Sequence, residues 1–161
     1  MIAVRIAGQL DARPMADLLN EIIREGGTTA FTKEVTRDTL LGWFAQASGQ
    51  SVWHVAEDAN GALLGFQSIE PKAKLPAEAC DIATFVQVGQ TGLGIGSKLF
   101  EATRKAAVAM GYDWINATIR ADNSGGLAYY QSRGFEDYAR HPNVMLGNGM
   151  YVDRISKRFK L

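Results

Sequence analysis

The sequence holds a single cysteine, Cys80, and only two histidines, His54 and His141. One cysteine closes no internal disulfide, and so few soft donors leave no set for a structural zinc site, so no metal is expected. Neither sign of charge dominates, because 17 Lys and Arg stand against 17 Asp and Glu. No global field draws such a chain to nucleic acid or to an anionic membrane, and an anionic ligand must be held locally. Long apolar runs are missing too. The first ten residues carry Arg5 inside an alternating stretch instead of the unbroken apolar segment of a signal peptide or membrane span. Together these absences point to a reducing cytoplasm.

What is present is a chain of 161 residues, 47% of them hydrophobic, enough for one sizeable core and one domain over residues 1–161. Ile2, Val4 and Ile6 alternate as in a half-buried first strand. Pro14 suits a first helical turn, Leu18, Leu19, Ile22 and Ile23 recur at helical spacing, and Gly26-Gly27 stops the run. Residues 36–47 repeat that logic, with Leu40, Leu41 and Phe44 inward. Three β-rich runs follow at 52–56, 63–69 and 80–87, separated by Asn60-Gly61 and a proline-bounded stretch at 71–76. A helix with an inner stripe of Ile95, Leu99, Thr103, Ala106 and Met110 ends at Gly111. A strand from Trp114 to Ile119, a short helix ending at Gly134, and strands near 135–139 and 151–159 complete the chain. This order predicts an α/β domain with a mixed, mostly antiparallel sheet of about seven strands and about four helices.

The loop before the third long helix reads Thr91-Gly92-Leu93-Gly94-Ile95-Gly96-Ser97. A glycine turn into a helix leaves backbone N–H groups aimed at one spot beside the positive end of the helix dipole, which suits phosphate. Taken alone, the run fits a flexible turn equally well. A Walker loop is excluded because Lys98 follows Ser97 rather than a glycine at the required spacing. A dinucleotide fingerprint fits poorly, since Ser97 stands after Gly92 and Gly94 and the loop follows a meander.

The run resembles the pyrophosphate loop of the GCN5-related N-acetyltransferases, Gln/Arg-x-x-Gly-x-Gly/Ala, with Thr91 in place of Gln/Arg. A second segment agrees. The run Asn123-Ser124-Gly125-Gly126-Leu127-Ala128-Tyr129-Tyr130, followed by Gly134-Phe135, resembles that family's Asn-x-x-Ala-x-x-Phe/Leu-Tyr and Gly-Phe pair, with Gly126 replacing the usual alanine. Leu19-Asn20, Thr28-Thr29-Ala30 and Trp43 resemble the branch acting on phosphinothricin and other amino-acid-like acceptors. The resemblance implies acetyl-CoA as acetyl donor. Its pyrophosphate would lie on Thr91, Gly92, Leu93, Gly94, Ile95, Gly96 and Ser97, and its pantetheine would run along the strand at Phe85, Val86 and Val88 as an added strand. Tyr130 would protonate the departing sulfur, and Asn123 would cap its helix and touch the cofactor. Tyr129 is assigned to packing. A backbone N–H near Val86 would meet the oxyanion. The acceptor implied is a small primary amine, and a homodimer is possible.

The base is less defined by sequence. An α-amino group with a pKa of about 7.8 is roughly one-tenth neutral at pH 7 and can manage with a water relay, whereas a lysine-like amine near about 10.4 cannot easily. Asp81, Glu70 and His54 are the candidates, each also readable as a solvated strand-end charge or a satisfied strand histidine. Lys98, Arg104, Lys105 and Arg133 are candidates for the CoA phosphates, and Trp43, Trp53 and Trp114 for core or pocket wall. The closing run Arg154, Lys157, Arg158 and Lys160 is too short and mixed for nucleic acid, and Cys80 reads as a small strand hydrophobe. A protein or peptide N-acetyltransferase, a non-catalytic acyl-CoA-binding module and a nicotinamide oxidoreductase are the rivals. The presence of Tyr130 and the loop spacing favour the small-amine enzyme.

Overall fold

A computed structural model describes residues 1–90 and 94–161, so three loop positions assigned to pyrophosphate, Thr91, Gly92 and Leu93, lie outside the described residues. The elements run β1 (Ala3–Ile6), α1 (Ala12–Glu25), α2 (Arg37–Gln46), β2 (Val52–Glu57), β3 (Leu63–Glu70), β4 (Ala79–Val86), α3 (Ile95–Ala109), β5 (Trp114–Arg120), α4 (Ser124–Ser132), β6 (Glu136–Met145) and β7 (Tyr151–Lys160). The seven strands form one sheet in the order β1-β2-β3-β4-β5-β7-β6. Among the described residues only the β4–β5 pair is parallel. The mixed α/β architecture expected from the element order is therefore the one observed.

The two faces of the sheet follow from the two-residue period of strands. Phe66 and Phe85 pack with Met15, Leu18, Leu19 and Ile22 of α1 and with Leu40 of α2. Ile69, Cys80, Ile82, Ile115, Ala117 and Ile119 pack on the opposite face with Phe100 and Ala107 of α3 and Tyr130 of α4. Helix ends are set locally. Thr36 caps α2, its hydroxyl accepting from the Thr39 N–H at 3.2 Å, and Gly26 ends α1 at φ 73°, a conformation that costs a residue with a Cβ.

Three readings of the sequence need correction. The first strand is less buried than its alternation suggests, since β1 is a sheet edge and Ile6 is 66% exposed. The inner stripe of α3 is carried by Phe100 and Ala107 together with Ile95, Leu99 and Thr103, while Ala106 and Met110 are only partly buried. Finally, β6 runs past residue 139 to Met145, straight through Pro142. It can do so because β6 is an edge strand with a register shift between His141 and Val144, where a missing N–H breaks no ladder bond. Asn143, at φ 52°, absorbs the irregularity.

One irregularity of register makes the site. β4 and β5 pair only at Ala79–Trp114, Cys80–Ile115 and Asp81–Asn116. β4 nevertheless stays paired to β3 as far as Val86, and β5 to β7 as far as Arg120. Beyond Asp81 the two strands diverge, opening a notch through the middle of the sheet and leaving the inner edge of β4 without a strand partner.

Candidate active site

The notch is part of a cavity of about 1420 Å³. On one side it is bounded by the N-terminus of α3 at Gly94, Ile95, Gly96 and Ser97, with Asn123, Tyr129, Tyr130 and Arg133 of the α4 region. On the other it is bounded by the loop after α1, Trp43, Trp53, Asp81 and Arg154. Strand periodicity explains the division. Residues 80, 82 and 84 of β4 face α3 and α4, whereas 81, 83 and 85 face α1 and α2, so Asp81 and Thr84 line opposite sides of one passage.

The α3 end has the features of a phosphate cradle. Gly94 is the N-cap at φ 81°, and its carbonyl accepts from Lys98 N–H at 3.1 Å, so the first N–H groups of α3 remain unpaired within the helix. Arg133 adds a cation there, its Nη1 donating to Ser97 Oγ at 2.8 Å. The other cations suggested by sequence point elsewhere: Lys98 donates to the Ile2 carbonyl, and Arg104 and Lys105 both pair with Glu101. Phe85, Val86 and Val88 line the cavity along the unpartnered edge of β4, which gives an extended amide-bearing chain a strand to pair with. A nucleotide-linked pantetheine arm therefore fits the residues present.

Asn123 caps α4 through Oδ1, which accepts from Gly126 N–H at 2.9 Å, while its Nδ2 donates to the Thr28 carbonyl at 3.1 Å. The substitution of glycine for alanine at 126 now has a reason. A Cβ there would sit 2.5 Å from Asn123 Nδ2 and 3.2 Å from Ile119, so the side chain that ties α4 to the loop after α1 needs the glycine. Asn20, buried in α1, holds the far end of that loop by a two-way bond to the Val35 backbone at 2.8 and 2.7 Å. The short sequence matches in this region thus serve to shape a cavity wall.

Tyr130 is 6% exposed, and its hydroxyl lies 2.7 Å from Thr84 Oγ1. Burial holds its phenol well above the ordinary tyrosine value, so it stays protonated throughout the neutral range. Tyr129, assigned to packing by sequence, does more. Its hydroxyl donates to the Gly96 carbonyl at 2.7 Å and accepts from Gln67 Nε2 at 3.1 Å. Gly96 permits the approach, because a Cβ there would meet the Tyr129 ring at 2.6 Å. Gln67 and Thr84 were not singled out from sequence, as polar residues on a half-buried strand carry no spacing signal.

Asp81 lies at the fork, with Oδ1 accepting from Asn116 Nδ2 at 2.8 Å. Burial raises its pKa, opposed by the Asn116 bond and by Lys72. Asn116 is itself oriented, its Nδ2 also donating to Thr118 Oγ1 at 3.0 Å and its Oδ1 accepting from the Tyr138 hydroxyl. Glu70 lines the cavity but pairs with Lys72 at 3.2 Å. His54 lies outside the cavity lining, buried in β2 with Nδ1 unpartnered among the described residues and its pKa lowered by burial, so it serves no base role here. Trp114 is also away from the cavity, packed edge-on against Tyr138, and burial pushes the Cys80 thiol up to about 12.

Among the described residues no cluster of three or more His, Cys, Asp or Glu could hold a metal, and no helix is long and apolar enough to cross a membrane. A strand fork, a helix N-terminus below it and a buried tyrosine beside it define an acyl-transfer class of site. The chain belongs to the acetyltransferase (GNAT) family, whose profile matches residues 15–135. It is 29% identical over 157 residues to phosphinothricin N-acetyltransferase of Streptomyces coelicolor, covering 94% of this chain and 92% of that protein. It is 22% identical over 154 residues to the L-amino acid N-acyltransferase MnaT of Escherichia coli, covering 94% and 90%. Its fold matches the crystal structure of a phosphinothricin acetyltransferase from Sinorhizobium meliloti in complex with AcCoA, with a TM-score of 0.89 and 20% identity over 99% of this chain and 88% of that one.

Proposed function

We propose that the chain transfers the acetyl group of acetyl-CoA to the primary amine of a small, amino-acid-like acceptor by direct attack. The observation that carries the acceptor class is the pairing of opposite charges at one end of the cavity. Asp81 offers a carboxylate to an ammonium or amine, and Arg154 offers a guanidinium on the same side of the sheet. The other cations of the cavity wall are engaged: Arg120 holds Asp122 at 3.0 and 2.8 Å and the Thr29 carbonyl at 3.1 Å, Lys72 pairs with Glu70, and Arg133 sits at the α3 end. Arg154 reaches only the Thr118 carbonyl, at 3.3 Å, and its Nε has no partner among the described residues. A free amino acid carries both charges these groups would complement. The names borne by the Streptomyces and Escherichia relatives support the same class.

In this reading Asp81 takes the proton lost by the amine, the β4 backbone near Val86 donates to the oxyanion, and Tyr130 gives its proton to the leaving sulfur. Gly94, Ile95, Gly96 and Ser97 hold the pyrophosphate through backbone N–H groups, with Arg133 beside them. Acetyl-CoA, when bound, supplies an activated thioester carbonyl.

The test is a panel of amines, amino acids and peptides assayed for CoA release. α-Amino acids should turn over best, and Arg154→Gln should raise their KM by roughly 10- to 100-fold, the usual worth of a charge-assisted hydrogen bond, while leaving amines without a carboxylate unaffected. A peptide preference in the wild type would transfer the reading to a protein N-acetyltransferase. The cradle has its own test. A Cβ at Gly94 meets nothing within 4 Å among the described residues, so the cost of Gly94→Val comes through its left-handed backbone, about 1–2 kcal/mol. Acetyl-CoA should bind roughly tenfold more weakly by calorimetry, and unchanged affinity in the folded variant would remove the loop from the site.

A further inference from the structure

We propose that Gln67, Thr84 and Tyr129 form a hydrogen-bond network, in which the Gln67 amide donates to both hydroxyls, that turns the phenolic proton of Tyr130 into the cavity, making them positioning residues for its delivery to the leaving sulfur. This rests on the acetyltransferase reading above.

The direction is set at the far end, by main chain. Tyr129 has one hydroxyl proton, and the Gly96 carbonyl, 2.7 Å away, can only accept. That proton is therefore committed to Gly96, and whatever faces Tyr129 Oη from Gln67 must be a donor. The amide nitrogen fills that position at 3.1 Å. The same Nε2, which has two protons, donates the second to Thr84 Oγ1 at 2.9 Å. Turning the amide over would oppose its oxygen to the committed Tyr129 oxygen, so the orientation is fixed even though it leaves Gln67 Oε1 buried without a partner among the described residues.

Thr84 Oγ1 already receives a proton from Gln67, and its only other partner among the described residues is Tyr130 Oη at 2.7 Å. Two hydroxyl protons, one from Thr84 and one from Tyr130, share that single gap. One fills it, and the other makes no further hydrogen bond among the described residues. With Thr84 donating to Tyr130, the surplus proton is phenolic and faces the cavity that Tyr130 lines. The burial that keeps the phenol protonated at neutral pH acts in the same sense.

The balance of the step is simple. The amine nitrogen forms a bond to the thioester carbonyl carbon and the carbon–sulfur bond breaks, its electron pair leaving on sulfur. Tyr130 Oη gives its proton to that sulfur while Thr84 O–H donates to the phenolate oxygen left behind. The proton shed by the amine goes to Asp81, and solvent returns one to Tyr130. Because Gly96 belongs to the first turn of α3, the segment that cradles phosphate and the group that donates the proton are tied by four hydrogen bonds in series, Gly96 to Tyr129 to Gln67 to Thr84 to Tyr130.

Single-turnover acetyl transfer at saturating acetyl-CoA tests the network with the near-isosteric pair Thr84→Val and Thr84→Ser. Losing orientation forfeits part of a general-acid contribution, so Thr84→Val should slow the chemical step by roughly 10- to 100-fold with acetyl-CoA affinity held within about twofold, and Thr84→Ser should recover most of that loss. In Gln67→Glu the carboxylate accepts where the amide donated and reverses the network. Its deficit against wild type should be largest at alkaline pH and shrink as the carboxyl is protonated. Thr84→Val at wild-type speed, Thr84→Ser as slow as Thr84→Val, or a pH-independent deficit in a folded Gln67→Glu enzyme would each overturn the proposal. A slow Tyr130→Phe enzyme beside an unimpaired Thr84→Val enzyme defeats the network alone, whereas a wild-type protein that acetylates no amine defeats it together with the function it rests on.

Discussion

Replacing Tyr130 with phenylalanine should slow the chemical step of acetyl transfer by about 10²–10⁴-fold, the usual range of a general-acid contribution. The change removes one oxygen and keeps the ring, whose contacts with Phe135 and Tyr129 at centroid distances of 5.1 and 4.9 Å are the main packing at that point. Acetyl-CoA affinity should hold, because the cradle at Gly94 to Ser97 is untouched. The loss belongs in kcat rather than in KM, since the proton is demanded only as the carbon–sulfur bond breaks. Single-turnover measurement is needed to see it, as slow release of CoA masks a slower chemical step in steady state. Tyr129→Phe is the comparison. It leaves the donor in place and removes only the group that orients Gln67, so its loss should be far smaller. Near-normal single-turnover rates in a folded Tyr130→Phe enzyme would give the tyrosine a purely structural role. Equal losses from both variants would mean that the hydrogen bonds the two hydroxyls make, rather than a proton given by Tyr130, account for them.

Why Tyr130 was legible in the sequence and Thr84 was not is a matter of spacing. The distance from Asn123 to Tyr130 and on to Gly134-Phe135 lies within one helix and its ends, where local geometry maps chain separation onto position. Gly94, Gly96 and Ser97 were equally local, a turn and the helix it opens. The partners of Tyr130 come from β3 and β4, brought to it across 46 residues for Thr84 and across 62 for the Gln67 bond to Tyr129. Nothing in a strand's own alternation tells which polar residue will meet a helix. Arg154 was hidden differently, inside a basic run that reads as solvated surface until β7 pairs with β5 and sets it opposite Arg120. The fork itself is the least legible feature. Residues 80–87 and 114–119 both read as ordinary strands, and their divergence beyond Asp81 follows from which neighbour each keeps.

Asp81→Asn carries the second large effect, and here the structure changes what the sequence allowed. An α-amino acceptor alone could rely on water, which predicts a mild loss. Asp81, however, is partly buried at the fork with one oxygen held by Asn116 and its pKa raised by desolvation, which makes it a stronger base than a surface carboxylate. Asparagine keeps the size and the acceptor for Asn116 but takes no proton, so acetyl transfer at neutral pH should fall by about 10²–10³-fold with acetyl-CoA binding intact. The wild-type rate should drop on acidification as Asp81 itself is protonated, a limb absent from the variant. The gap between the two should narrow toward pH 9, where more of the amine is already neutral. Stability should move the other way. A carboxyl whose folded pKa is raised binds its proton more tightly in the folded state, so the fold is favoured below the unfolded value near about 3.9 and loses that advantage as pH rises through the raised one. Asp81→Asn removes the cost of burying the charge, so its Tm should match or exceed that of wild type at pH 7–8, and the margin should shrink toward pH 4. A variant that kept its rate within about threefold of wild type across pH 6–9 would return the proton to a water relay. A variant that lost both rate and stability at pH 8 would show Asp81 to be a brace between β4 and β5 rather than a base held there at the fold's expense.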